Sequence, residues 1–340
     1  MSQFPEEASL APAPEAEVPA SAESAEEIPP AEPPGTTEFA GDQLYLAESS
    51  EETNFIEPPL FRQHSIPEPI SPPRTPHLGH VALLALLGII GFVGSGLLTR
   101  SALHFHLWGI STVQAAMGDV HYTIASMASL YLLTAIGAAL IFPLVWQKSL
   151  SDGLQWNVYG ALRCMTPLLG AAGLCFILAM ADEVLLPGPS DAPIDKLFDT
   201  SAAAWMLFAF GVTFAPFFEE IVFRGFLLPA FSTAFDWSVE KATDRPAPPL
   251  DSLGHPQWSL AAMVFGSVIT SVPFALMHAE QTGWALGPFL LLVVVSLILC
   301  WARLTTRSLA ASVIVHASYN FLLFSLMLLG THGFKHMDKM

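Results

Sequence analysis

The sequence predicts an all-α polytopic membrane protein: a bundle of about seven transmembrane helices preceded by a disordered acidic N-terminal tail. Three observations carry this. Of 340 residues, 52% are apolar and 13% charged, and the mean hydropathy is +0.51; a soluble protein carries about 25% charged residues. Several apolar runs reach the roughly 20 residues needed to cross a bilayer core. The acidic residues are segregated, with fifteen Asp/Glu against Arg62 and Arg74 in residues 1–77, a net −13 of the chain's −17.

Residues 1–77 alternate Pro, Ala, Glu and Ser, as in Ala11-Pro12-Ala13-Pro14-Glu15-Ala16-Glu17. Such a segment buries too little apolar surface to offset its ordering entropy, so disorder is expected. Leu44-Tyr45-Leu46 and Phe55-Ile56 stand out as apolar islets that could dock a partner. So acidic a tail is repelled by nucleic acid and by anionic lipid, and no nucleic-acid partner is expected. With no apolar h-region, the start is not expected to be a secretory signal peptide. The last residues, His336 to Met340, hold no prenylation Cys. Cys164, Cys175 and Cys300 lie in apolar runs without CxxC spacing, and read as packing residues.

A transmembrane helical domain is expected over 78–331. The first span covers Val81 to Leu98 and is rich in Gly, which allows close helix packing. The second covers Thr123 to Trp146 and the third Cys164 to Ala181. The fourth runs from Ala202 through Glu219-Glu220 to Phe231, with a kink expected at Pro216. Residues 232–257 read as a polar loop. The fifth covers Trp258 to Ala279, a shorter sixth Pro288 to Trp301, and the seventh Ser308 to Leu329. Lys148, Arg163, Lys241, Arg245, Arg303 and Arg307 fall in loops of one side, which puts the N-terminus in the cytoplasm of a cell (plasma) membrane protein. Arg100, Lys335 and Lys339 run against that bias.

Ionisable residues within a membrane are costly and mark function. Glu220 and Arg224 are four apart and can pair on one helix face. Glu219 is turned about 100° from Glu220, so it can face a cavity while its neighbour is held. A carboxylate removed from bulk water suits general-base work; an interfacial ion pair is the plainer account of this cluster. His316 and Asn320 also share a face, where imidazole and carboxamide can donate to a developing oxyanion or simply bond across helices. His278 follows Phe274 by one turn, and Phe274 could pack its ring.

E-E-x-x-x-R at Glu219 to Arg224, F-x-x-x-H at Phe274 to His278 and H-x-x-x-N at His316 to Asn320, in that order on apolar helices, resemble the CPBP family. These are the CAAX-processing and bacteriocin-processing (Abi) intramembrane endopeptidases, and the resemblance covers 200–328. It implies hydrolysis of a peptide bond in a peptide or lipidated-protein substrate, a prenylated CAAX tail in one branch of the family. By position, Glu219 would activate a water with His278, His316 and Asn320 would stabilise the oxyanion, and Glu220, Arg224 and Phe274 would support them. The family is variously described as metal-dependent and as glutamate-type, and metal-independent water activation is the expectation here. Glu219, Glu220, His278 and His316 include the three ligands a catalytic zinc needs, most simply Glu219, His278 and His316, though H-E-x-x-H is absent. Two other classes remain open: a non-catalytic membrane scaffold recruiting a partner through the tail, and a proton-coupled transporter with Glu219 and His278 as relay. A layout of equal helices sets His278 near the outer end of its span and His316 toward the inner side, whereas one site needs them at one depth.

Overall fold

The computed structural model describes residues 74–189, 193–251 and 255–335, all of them within the unit Pro67–Met340. Most of the acidic tail, including both apolar islets, lies outside the described residues. Seven long apolar helices follow: α1 (Leu78–His104), α2 (Val120–Trp146), α3 (Met165–Leu185), α4 (Ser201–Thr243), α5 (Leu260–Ala279), α6 (Leu286–Thr306) and α7 (Leu309–Gly330). Each is long and apolar enough to cross a membrane, and the chain is an integral membrane protein.

Local chemistry sets the helix starts. His77 accepts from the Gly79 N–H at 3.0 Å while His80 Nδ1 accepts from the His77 N–H at 3.1 Å, which caps α1. The Asp119 carboxylate takes the His121 and Tyr122 N–H groups at the start of α2, and Thr200 Oγ1 and Ser259 Oγ cap α4 and α5. α1 packs on α2 at Gly91, where any Cβ would strike the Thr134 side chain and the Leu130 carbonyl.

Helix α1 runs on past Leu98 to His104, and two further boundaries differ from the sequence reading. Residues 232–243 are not loop: α4 continues to Thr243. Their polar side chains Ser232, Thr233 and Asp236 are buried against α5 rather than solvated. The break comes at Asp244, which takes a left-handed φ of 51° shortly before Pro246. Helix α6 runs past Trp301 because Arg303 is buried and donates to the Leu154 carbonyl at 3.3 Å instead of ending the span. Pro216 does not produce an isolated kink. It follows a π-helical stretch, Phe210–Phe214, and a second one, Ile221–Leu227, lies just beyond the short α segment Ala215–Glu220. π segments inside α-helices are frequent at functional sites.

The depth conflict disappears because α5 and α7 start at different levels along α4. Asp236 accepts from Ser259 N–H at 3.0 Å and from its hydroxyl at 2.6 Å, fixing the start of α5 there. Leu309, the first residue of α7, lies beside Gly225. From Asp236 to Gly225 is about 16 Å along a helix rising 1.5 Å per residue. Leu309 N–H donates to Gln155 O and Ser308 Oγ to Asn157 O, so the chain before α3 reaches in to receive this deep start. Nineteen residues up α5 and seven up α7 then both reach the level of Glu219.

Asp236→Ala removes both acceptors at the α5 start. It should lower stability by about 1–3 kcal/mol, read as an earlier thermal unfolding midpoint in detergent, whereas Ser238→Ala, at an exposed position, should leave the midpoint unchanged.

Candidate active site

Glu219 and Glu220 sit on the α segment between the two π stretches and point to different partners. Glu220 is fully buried (0% exposed), as is Arg224 one turn on. Glu220 Oε1 accepts from Arg224 Nη1 at 2.9 Å and from His316 Nδ1 at 2.9 Å. Arg224 Nη2 donates in turn to the Ser296 carbonyl at 3.0 Å and hydroxyl at 2.7 Å. One carboxylate thus ties α4 to α7, and its guanidinium partner ties α4 to α6. Phe274 of α5 completes the packing: the Arg224 guanidinium lies 4.5 Å from its ring centroid, with the His278 and His316 rings at 5.0 and 5.8 Å.

Glu219 lies on the other side of this network. Its Oε2 is 3.8 Å from His278 Nε2 and 3.9 Å from His316 Nε2. The far nitrogen of each ring is committed elsewhere. His278 Nδ1 is 2.9 Å from the Phe274 carbonyl, which can only accept, so the proton sits on Nδ1 and Nε2 is left as an acceptor. His316 Nδ1–H is directed to Glu220. The carboxylate and the two Nε2 atoms therefore converge on one spot, at separations that a bridging water spans.

Asn320 is one turn beyond His316, and its Nδ2 donates to Gly211 O at 2.8 Å. Glu219, His278 and His316, together with Glu220, Arg224 and Phe274, thus meet where α4, α5 and α7 pack, and Asn320 is held one turn beyond, toward Gly211. As placed, Glu219, His278 and His316 do not close a zinc site. Bonds of 2.0–2.1 Å in a tetrahedron put ligand atoms about 3.4 Å apart, closer than the 3.8 and 3.9 Å seen. Among the described residues no group of three or more His, Cys, Asp and Glu could hold a metal ion.

Two residues escaped the sequence reading. Tyr131 of α2 donates its hydroxyl to Glu219 Oε1 at 3.4 Å and stacks on Phe218, 5.4 Å between centroids. Ser296 of α6 anchors Arg224. Both are single polar atoms inside apolar runs, a signal shared by many residues of the other spans. Cys175 and Cys300 are buried packing residues and Cys164 is half-buried; all three are free thiols.

Removing one member of a buried ion pair leaves the other charge uncompensated, at a cost of about 3–5 kcal/mol. Arg224→Met should therefore lower the unfolding midpoint sharply, and Glu220→Gln/Arg224→Met should recover part of the loss. A single Arg224→Met variant as stable as the native chain would contradict the pairing.

The family described as type II CAAX prenyl endopeptidase Rce1-like matches residues 201–322. No curated protein and no solved structure matched the chain. The matched segment contains Glu219, Glu220, Arg224, Phe274, His278, His316 and Asn320, while Tyr131 lies outside it. Through residues 201–322 the chain carries a domain of the Rce1-like type II CAAX prenyl endopeptidase family, a family of proteases.

Proposed function

We propose that the chain is an intramembrane endopeptidase that cleaves a peptide bond of a membrane-associated substrate, with prenylated CAAX-type tails as the substrate class. The observation that carries this reading is the convergence of Glu219 Oε2 with the Nε2 atoms of His278 and His316 within a helical bundle. In the proposed reaction a water held by these groups attacks the scissile carbonyl carbon. Glu219 takes the water proton as the new C–O bond forms, and His278 Nε2 accepts the second water hydrogen as a hydrogen bond. The carbonyl π pair moves to oxygen. That oxyanion is met by an Asn320 N–H and by His316 Nε2–H when the ring carries both protons. Collapse breaks the C–N bond, and the proton held by Glu219 passes to the leaving amine. Glu220 and Arg224 set the orientation of His316, and Tyr131 holds Glu219 Oε1 so that Oε2 faces the imidazoles.

The domain boundary belongs to the same proposal: residues 1–77 form a tail and 78–331 the membrane domain, with the catalytic core in 200–328. The N-terminus is assigned to the cytoplasm of a plasma-membrane protein. Arg74, at the start of α1, pairs with Glu240 near the end of α4 at 2.7 Å, so both lie on one face. On that side fall the loops holding Lys148, Arg163, Arg245 and Arg307.

The test is turnover of prenylated and unprenylated peptides by the detergent-solubilised chain, with and without a chelator. The prenylated peptide should be cut, and turnover should survive the chelator because the carboxylate and imidazoles do not close a zinc site. Glu219→Ala should lower kcat by about 10²–10⁴-fold while the protein still inserts and folds; native-level turnover in that variant would remove Glu219 as the base. Tyr131→Phe should slow kcat by about tenfold, with KM little changed, since a small displacement of a catalytic group is costly.

A further inference from the structure

We propose that Pro216 is a positioning residue for Asn320, acting through the carbonyl oxygen of Gly211. The proposal rests on reading Asn320 as an oxyanion donor, and it states how that donor is held. At the end of the π stretch Phe210–Phe214, Ala215 N–H reaches back five residues to bond Phe210 O. Gly211 O could then draw on two backbone donors. The α-helical one is Ala215 N–H, already given to Phe210. The π-helical one would come from position 216, which is proline and has no N–H. The carbonyl is left without a backbone partner, and such a group in a membrane bundle must be satisfied from elsewhere.

Asn320 Nδ2 supplies that partner at 2.8 Å. The approach is close because Gly211 packs on Phe324, one turn beyond Asn320; a Cβ there would come within 3.0 Å of the Phe324 ring. The bond does two things for the carboxamide. It fixes the side-chain rotamer on α7. It also decides which end of the amide faces α4, because Oδ1 against a carbonyl oxygen would be repulsive. One Nδ2 hydrogen is consumed and the second is left in a fixed direction. Pro216 stands three residues before Glu219, so the residue that frees the carbonyl lies on the same short segment as the proposed base. The bundle couples donor and base through one backbone irregularity, where an independent donor would have needed its own support.

The experiment compares Pro216→Ala, Asn320→Ala, the double variant and the native full-length chain. Readouts are steady-state hydrolysis of a prenylated CAAX peptide and thermal unfolding followed by tryptophan fluorescence. Pro216→Ala returns an N–H that competes for Gly211 O. Its kcat should fall about tenfold or more with KM unchanged. Its unfolding midpoint should equal or exceed the native value, because proline is unfavourable inside a helix. Once Asn320 is gone, Pro216→Ala should have no further effect, so the double variant should be as slow as Asn320→Ala. Native kcat in Pro216→Ala, multiplicative losses in the double variant, or a lowered midpoint would each overturn the proposal. Native kcat in Asn320→Ala would remove the oxyanion reading itself and this inference with it. A measurement independent of turnover is hydrogen exchange at the Asn320 side-chain amide in ¹⁵N-Asn-labelled protein. The native chain should show one slowly exchanging Nδ2 hydrogen and Pro216→Ala none; a native chain without a slow hydrogen refutes the proposal.

Discussion

The Glu220 carboxylate is the interaction on which the rest of the site depends. It is fully buried, and its Oε1 receives both the Arg224 guanidinium and the His316 imidazole. Two charges removed from water are costly unless they are answered; Glu220 Oε1 and both Arg224 Nη atoms are answered, Glu220 Oε2 and Arg224 Nε have no hydrogen-bond partner, and the contacts come from four helices. Arg224 reaches Ser296 on α6 and lies over Phe274 of α5, and His316 belongs to α7. Such a network has few alternative arrangements, so it fixes the rotation of α4 and α7 about their axes. The position of Glu219 is then a consequence. With Glu220 turned into the core, its neighbour on the same helix is turned to the side where the two Nε2 atoms meet.

The level of each helix matters as much as its rotation. The Asp236–Ser259 contact starts α5 far down α4, and the strand of chain around Gln155 to Asn157 starts α7 much higher. A bundle of equal, flush helices could not bring His278, the penultimate residue of α5, to the same height as the eighth residue of α7. The long α4 provides the common ruler against which both offsets are set.

The number of spans and most of their cores were legible in the sequence because apolar run length is a direct physical requirement of the bilayer. The cluster of Glu219, Glu220, Arg224, His278 and His316 was legible too, since charged and imidazole side chains are rare in such runs. What could not be read were features that depend on partners distant in the chain. Ser232, Thr233 and Asp236 looked like loop residues because polarity alone does not say whether a side chain meets water or another helix. Arg303 looked like a helix end for the same reason. Tyr131 and Ser296 each offer a single polar atom, and only the fold shows that one faces Glu219 and the other Arg224. The π stretches on either side of Glu219-Glu220 left no mark in the hydrophobic pattern beyond Pro216.

The placement of Tyr131 has a consequence for how the molecule can be divided. Its hydroxyl comes from α2, seventy residues before the segment that carries the protease motifs begins. A fragment trimmed to that segment would keep the motifs yet lose the hydroxyl that contacts Glu219, along with the α1–α2 hairpin that carries it. Chimeras that exchange only the motif-bearing helices between such proteins would inherit a foreign α2, and the Glu219 carboxylate would be aimed by whichever scaffold received it.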